Sequence, residues 1–345
     1  MARTNRGNAN GKNTNGKNTN RRNTRGKNGS RGNDRSDRSG SKAERTGPAG
    51  TSRGARSELL ALRAEVPCTV GLLADEQDFA AMRRYRTFTF DDHQRYLRQI
   101  DGLLRTLATE GAHTSVALFD PEEFAEYCAE TGHAPDAPAS RSRFTARIAA
   151  TGGALVTYTG QPVERLVPQL INTAVRKATW EYATIVLADL GDCADCGVDI
   201  GRASFDRASR LLTHLIERAG PGTHHLVCSI PTPDEQLLAA LHLQRPDTGP
   251  ALLDASESAE FVTVLAAGIA LDSPGGVVLR TTVPDAPDRL HGWRLRNSTL
   301  APLSEGQVFS AYCTDADTGE PLSPEPGVEY RAGFDLGIED PDIHR

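Results

Sequence analysis

The sequence predicts an α/β fold in which a mostly parallel, Rossmann-like sheet is covered by helices on both faces. Short apolar runs alternate with amphipathic segments, and glycines or prolines separate them. Residues 1–57 contain no aromatic and no branched aliphatic side chain, which sets the start of the folded part. We therefore expect a disordered basic arm over 1–57, the Rossmann-like domain over 58–230, and an antiparallel β-meander over 231–345 that packs on the same domain.

The first 57 residues predict a disordered, basic arm. They repeat a short Gly-Lys-Asn-Thr-Asn unit at 11–15 and 16–20, and they hold 15 of the 39 Lys and Arg residues but 3 of the 45 Asp and Glu residues. Such a segment cannot bury enough apolar surface to offset the entropy of ordering its chain. Its positive charge suits the phosphates of RNA or DNA. The alternative is an extension without function, added by a start codon read too far upstream.

The remainder of the chain is strongly acidic, which restricts its partners. An acidic body repels nucleic-acid phosphates and membrane surfaces, so we expect nucleic acid to bind through the arm alone. The longest apolar stretch, Phe261–Leu271, is shorter than the roughly 18 to 20 residues of a membrane-spanning helix. Six cysteines without a secretory leader, and a body rich in Arg and Ala with Lys177 as its one lysine, indicate a soluble protein of the bacterial cytoplasm.

Four short apolar runs predict the strands of the parallel sheet. Each run is bounded by turn or charged residues, as Pro67 and Asp75 bound the first. Alternation of such strands with helices is typical of parallel sheets with helices on both faces. The predicted strands are Cys68–Ala74, Thr114–Phe119, Ala154–Thr159 and Thr223–Ile230.

Seven helical segments accompany these strands. Residues 93–110 carry apolar side chains three or four positions apart and end at Gly111, which is the pattern of an amphipathic helix. Residues 163–190 have the same spacing; 183–188 alone would also suit a strand, but no turn signal interrupts the helix. The predicted helices are Ser57–Glu65, Asp78–Tyr85, His93–Glu110, Pro121–Thr131, Arg141–Thr151, Val163–Leu190 and Arg202–Ala219.

Beyond Pro231 the pattern changes to that of an antiparallel meander. Turn signals at 272–276 and 297–298 separate apolar or alternating runs. Ser304 and Gln307 have the spacing of a capping box, which predicts a short helix after them. The runs predicted to form the meander are Phe261–Leu271, Val277–Thr282 and His291–Arg296.

The most specific motif is Cys193-x-x-Cys196, which lies in a loop between two predicted helices. Two thiolates at this spacing can bind one Zn²⁺ through a tight turn. The predicted helix that follows leads roughly 27 Å away from the loop, and the predicted strand after it runs back over roughly the same distance. Cys228 lies near the end of that strand and is therefore predicted to lie close to the pair. The fourth ligand would come from Asp192, Asp195 or the C-terminal region. The alternative is that Cys228 is an ordinary buried cysteine and that the other two are loop thiols.

Polar residues follow the predicted strands and would meet at the carboxyl edge of the sheet, where open α/β sheets bind ligands. Asp75 and Asp120 are the candidate catalytic residues, because two carboxylates on one edge can hold Mg²⁺ for phosphoryl transfer. The alternative is that these carboxylates cap the helices that follow them. The predicted ligand-binding residues are Asp75, Glu76, Asp120, Thr159 and Ser229.

These observations leave three functional interpretations open, and with them the question whether the protein is an enzyme. The first is an accessory or regulatory protein that binds a small molecule or a protein partner at the carboxyl edge. It is favoured because the sequence contains no dinucleotide, P-loop or nucleophile-elbow motif. The second is a metal-dependent phosphoesterase or nuclease-like hydrolase that uses Asp75 and Asp120. The third is a structural zinc-knuckle interaction protein.

Overall fold

Two β-sheets joined by a long helix form the part of the protein that the structure describes. The structure is a computed structural model that describes residues 68–315 and 318–337, which belong to one compact unit. The predicted disordered arm over 1–57 and the predicted helix Ser57–Glu65 lie outside the described residues. An α/β fold is confirmed, but its two sheets are not arranged as in a Rossmann-like fold.

The first sheet has three strands and a mixed topology. β1 (Cys68–Leu72) and β2 (Thr114–Leu118) pair in parallel, whereas β3 (Leu155–Thr157) pairs antiparallel with β2. The prediction of a third parallel strand is therefore wrong, because two helices of similar length separate β2 from β3 and return the chain to the edge at which β2 ends, so that β3 starts there and runs back. The helices of this half are α1 (Glu76–Met82), α2 (His93–Thr109), α3 (Pro121–Thr131) and α4 (Pro138–Ala150).

Two apolar clusters stabilise this first half. In the first, aromatic rings pack edge to face, as Phe119 and Phe144 do with ring centroids 5.1 Å apart and an interplanar angle of 80°. This aromatic cluster takes its side chains from all four helices and from the residues that follow β1 and β2. The second cluster is mainly aliphatic and includes Leu72, Leu104 and Val116, which are wholly buried.

The long helix α5 (Val163–Asp189) belongs to both halves of the described chain. Its early side chains Leu166 and Leu170 are wholly buried in the aliphatic cluster, whereas Ala183 is wholly buried in the core of the second half. The helix runs without a break through 183–188, so the predicted helix is confirmed there. None of the described helices combines the length and the apolar character needed to cross a membrane.

The second sheet has seven strands, which are β4 (Gly222–Pro231), β5 (Gln236–Arg245), β6 (Leu252–Leu253), β7 (Gly276–Thr282), β8 (Asp288–Arg296), β9 (Thr299–Pro302) and β10 (Val328–Arg331). Their order in the sheet is β10-β8-β7-β4-β5-β6, with β9 also paired to β8. β10 runs parallel to β8, and the other pairs are antiparallel. The predicted fourth parallel strand, Thr223–Ile230, is therefore wrong in both sheet and direction. Its side chains alternate between buried and partly exposed, which is typical of a strand with one covered face.

Helices α6 (Ile200–Ala219) and α7 (Ala255–Ala270) pack with the second sheet in one apolar core. Every residue of α7 from Phe261 to Ile269 is buried, so the prediction of a meander strand at Phe261–Leu271 is wrong. A helix that is enclosed on all sides carries no amphipathic period, and its apolar run cannot be distinguished from that of a buried strand by spacing.

Three other C-terminal predictions are confirmed. Val277–Thr282 lies in β7 and His291–Arg296 lies in β8, and the capping box of Ser304 and Gln307 starts α8 (Glu305–Tyr312). β5 is absent from the sequence prediction because apolar side chains stand on both of its faces and hide its alternation.

A wholly buried histidine, His224, lies in β4. Its Nε2 is 3.0 Å from the Gly220 carbonyl oxygen, and its Nδ1 is 3.0 Å from the Thr281 hydroxyl oxygen. Because a carbonyl oxygen can only accept, Nε2 carries the proton and Nδ1 accepts from the hydroxyl. Burial lowers the pKa of His224, so folding favours its neutral form.

We expect the free energy of unfolding to fall as the pH drops below about 6.5, the ordinary pKa of histidine. In that range the unfolded state takes up a proton at His224 and the folded state does not, so acid favours unfolding. The contribution is complete above the unfolded pKa and is lost as the pH falls toward the lower folded pKa. Burial also lowers the pKa of His225 and His291, which act in the same direction.

Urea denaturation at a series of pH values measures this dependence. His224→Gln should reduce the slope of unfolding free energy against pH, whereas Thr223→Gln, at the exposed neighbouring position, should leave it unchanged. Equal slopes for His224→Gln and the wild-type protein would show that the buried, neutral His224 is not a source of the pH dependence.

Candidate functional site

The two cysteines of the predicted motif lie in a tight loop between α5 and α6, which we call the thiol loop (Asp192–Asp199). A β-bridge pairs Asp192 with Asp199 and closes the loop at its base. Gly197 has a φ of 69°, a left-handed conformation that glycine adopts at little cost, and its N–H donates to the Cys193 carbonyl oxygen at 2.8 Å. The loop is therefore fixed by its own backbone, and both cysteines are held within a single turn.

Hydrogen-bond donors surround the sulfur of Cys193. The backbone N–H groups of Asp195 and Cys196 donate to it, and so does the Cys196 thiol. These donors lower the pKa of Cys193 because they stabilise the thiolate. Cys193 is 3% exposed whereas Cys196 is exposed, and neither forms a disulfide. The arrangement therefore favours an anionic sulfur beside a second, accessible sulfur, as a thiophilic metal requires.

The third predicted metal ligand, Cys228, is not part of this site. Its side chain is wholly buried in the apolar core, on the same face of β4 as Leu226 and Ile230, and burial raises its pKa. Among the described residues, no group of three or more His, Cys, Asp or Glu side chains is placed to hold a metal ion, so Asp192 and Asp195 complete no such set either. The lengths of the helix and the strand constrain the path of the backbone, but the alternation of β4 decides which way the sulfur faces.

The carboxylates predicted to follow β1 and β2 do lie near one another. The pKa of Asp78 is raised, first by burial and then by the negative charges of Asp75, Asp120 and Glu122. Each predicted catalytic residue is also a helix cap, because Asp75 accepts from the N–H of Asp78 at 2.8 Å and Asp120 accepts from the N–H of Glu122 at 2.7 Å. The capping interpretation is therefore confirmed.

The remaining predicted edge residues lie elsewhere. β3 runs opposite to β1 and β2, so Thr159, which follows it, belongs to the other edge of the first sheet. There its N–H donates to Gln161 Oε1 at 2.7 Å. Ser229 lies in the second sheet and accepts from Gln236 Nε2 at 2.6 Å. The five predicted ligand-binding residues thus do not form one crevice, although Asp75, Glu76 and Asp120 share the carboxyl edge of β1 and β2.

One surface feature was not indicated by the sequence, namely a groove of about 800 Å³ beside α8. The capping box predicts where α8 starts, but the strands on which it packs are set by long-range pairing. Volumes of this size are common in small-molecule sites, so this groove suits a small ligand better than the predicted edge does. Its polar lining includes Ser229, Gln236, Arg294, Ser304, Gln307, Ser310 and Tyr312.

Comparison with known proteins adds one similarity. A family described as "Domain of unknown function (DUF8829)" matches residues 55–161, which is less than a third of the chain. The matched segment includes β1 to β3 and α1 to α4, and it ends before α5 and the thiol loop. No curated protein and no solved structure matches the chain.

Proposed function

We propose that this protein is an interaction protein of the bacterial cytoplasm and that its thiol loop binds zinc as a structural element. The observation that carries the proposal is the backbone-closed turn of the thiol loop, which holds Cys193 and Cys196 three positions apart and places the N–H groups of Asp195 and Cys196 as donors to the Cys193 sulfur. Such donors suit a loop that presents thiolates to a cation, because they stabilise the sulfur in its anionic form.

Zinc is the metal that suits these ligands best. It accepts thiolate sulfur readily, has no redox chemistry of its own, and takes four ligands in tetrahedral geometry. Cys193 and Cys196 supply two sulfurs from one turn, and the left-handed Gly197 turns the backbone away after the second sulfur. A cysteine thiol must lose its proton before the sulfur binds the metal, and the N–H donors at Cys193 make that loss easier.

Elemental analysis of the full chain tests this proposal. Protein purified under reducing conditions without chelator should retain at least about half an equivalent of zinc per chain. The double variant Cys193→Ser and Cys196→Ser should lose it. Cys68→Ser, which removes a thiol outside the loop, should keep the wild-type zinc content.

Cobalt gives a second readout that does not depend on the purification. Co²⁺ added to the metal-free chain should produce the visible absorption of a tetrahedral thiolate site, and this absorption should be absent from the double variant. Less than about a tenth of an equivalent of zinc in fresh protein, together with no cobalt absorption, would disprove zinc binding.

A further inference from the structure

We propose that the open edge of β1 binds an extended peptide, which adds a strand to the first sheet and places an apolar side chain in the cavity beside that edge. The inference names a partner for the proposed interaction protein and rests on that proposal, but its evidence lies in the first sheet and does not involve zinc. Binding of this kind forms no covalent bond, because backbone hydrogen bonds and the burial of a side chain supply the affinity.

β1 forms an edge of the first sheet, in which the strand order is β1-β2-β3. The Cys68 N–H donates to the His113 carbonyl oxygen at 2.9 Å, and the Leu72 carbonyl oxygen accepts from the residue after β2 at 2.9 Å. Successive residues of a strand direct their N–H and C=O groups to opposite edges, so Thr69 and Gly71 direct theirs away from β2. Within the described part of the chain, no partner pairs with these four backbone groups.

The same edge is closed two residues further along. The Leu73 N–H donates to the Tyr96 hydroxyl oxygen at 3.2 Å, and His93 Nε2 is 3.0 Å from the Leu73 carbonyl oxygen. Both partners belong to α2, so the protein covers its own edge there and leaves it open at Thr69 and Gly71. The open groups stand two residues apart, which is the repeat with which an extended peptide presents its own N–H and C=O groups.

A cavity of about 350 Å³ lies along this open edge, and both α2 and α4 contribute to its walls. Thr69 and Gly71 line it, so a peptide paired with the edge would hold a side chain inside it. Leu103 of α2 forms part of the wall although it is 45% exposed, which leaves an apolar surface in water at this place. The apolar walls include Val70, Phe88, Phe90, Ile100, Leu103 and Phe119.

The lining of the cavity favours a neutral, apolar side chain. Arg141 is the one charged residue among those that line it, and its guanidinium donates to the Thr87 hydroxyl oxygen at 3.0 Å. A lysine or arginine of a partner would meet this positive charge without a carboxylate to offset it. A free small molecule would fill the cavity but would leave the backbone groups of the strand edge unpaired. A peptide with an aromatic or branched aliphatic residue satisfies both features.

A nuclear magnetic resonance titration of the isotope-labelled full chain tests the proposal. The probe is the capped peptide acetyl-Thr-Thr-Phe-Thr-Thr-amide, which should bind with a Kd below about 1 mM and shift the amide signals of Thr69 and Gly71. Two control peptides, one with glycine in place of phenylalanine and one N-methylated at its three central residues, should bind at least about fivefold more weakly. Equal binding of either control, or no shift at Thr69 and Gly71, would overturn the proposal.

Variants of the chain separate the strand edge from the cavity. Thr69→Pro removes an outward N–H without removing a bond to β2, and it should raise the Kd at least about fivefold, whereas Thr69→Val should stay within about twofold. Leu103→Asp, which places a charge in the cavity wall, should raise the Kd at least as much. Gln94→Asp adds the same charge at an exposed position of α2 outside the lining and should leave the Kd unchanged. Circular dichroism shows whether each variant is folded, and equal effects of the two aspartates would overturn the role of the cavity.

Amide hydrogen exchange shows whether the edge is open before the peptide is added. The Gly71 N–H should exchange rapidly in the free chain and slowly in the complex, whereas the Cys68 N–H, which is paired with β2, should exchange slowly in both. Slow exchange at Gly71 in the free chain would show that another part of the protein covers the edge and would overturn the proposal. Zinc analysis of the same sample is independent: a chain that binds the peptide without zinc would disprove the zinc site alone, and a zinc-loaded chain that binds no peptide would overturn this inference alone.

Discussion

Replacement of Trp293 by alanine should lower the free energy of unfolding by about 3–5 kcal/mol. Trp293 is 1% exposed and is the largest of the fully buried side chains in the described residues. Its removal leaves a cavity in the core of the second sheet, and the surrounding strands can close such a cavity only in part. The indole also anchors the C-terminal segment, because its Nε1–H donates to the Phe334 carbonyl oxygen at 2.9 Å and its ring packs edge to face on Phe334.

Urea denaturation followed by circular dichroism measures this loss, and the second tryptophan provides the control. Trp180 is 40% exposed on α5, so Trp180→Ala should cost much less than Trp293→Ala. Trp293→Phe keeps most of the packing but removes the N–H donor, and it should cost about 1–3 kcal/mol. Similar losses for the two alanine variants would show that the cavity is not the dominant effect.

Replacement of Gly201 by alanine should destabilise the protein by about 1–3 kcal/mol, although alanine favours a helix more than glycine does. Gly201 lies in the first turn of α6, where an added Cβ would stand 2.5 Å from the Leu187 carbonyl oxygen and 3.3 Å from the Leu187 Cβ. The nearest atom is backbone, so it cannot turn aside as a flexible side chain could. The helices α5 and α6 would have to move apart next to the thiol loop.

A glycine with free space around it provides the control. Gly102 lies within α2, and no atom is within 4 Å of the position of its added Cβ. Gly102→Ala should therefore stabilise the protein by up to about 1 kcal/mol, which is the difference in helix propensity alone. Thermal or urea unfolding of the two variants should give opposite signs. A stabilised Gly201→Ala variant would contradict the close approach of α5 and α6.

The sequence predicts an element well where the residues that determine it are close together along the chain. The long helix from Val163, the capping box at Ser304 and the caps at Asp75 and Asp120 depend on residues within a few positions of one another, and each is present. Strand direction depends on pairing between distant segments. For this reason Thr223–Ile230 is found as a strand but assigned to the wrong sheet.

The candidate site shows the same division between local and distant information. The spacing of Cys193 and Cys196 predicts a tight loop with two thiols, and that loop is present. The prediction that Cys228 joins the pair depends on the lengths of the intervening helix and strand. Those lengths contain no information about which face of β4 carries the sulfur, and the sulfur faces the apolar core. The N–H donors at Cys193 likewise depend on backbone conformation and are not visible in the sequence.

The position of α5 in two cores has a consequence for how this protein can be divided. The segment that resembles the family of unknown function ends at residue 161, yet Leu166 and Leu170 beyond that point fill the aliphatic cluster with Leu72 and Val116. The unit that is recognisable by sequence is thus smaller than the unit that buries its own apolar surface. A version of this chain cut after residue 161 would lack Leu166 and Leu170 and would leave the side chains that they cover in water.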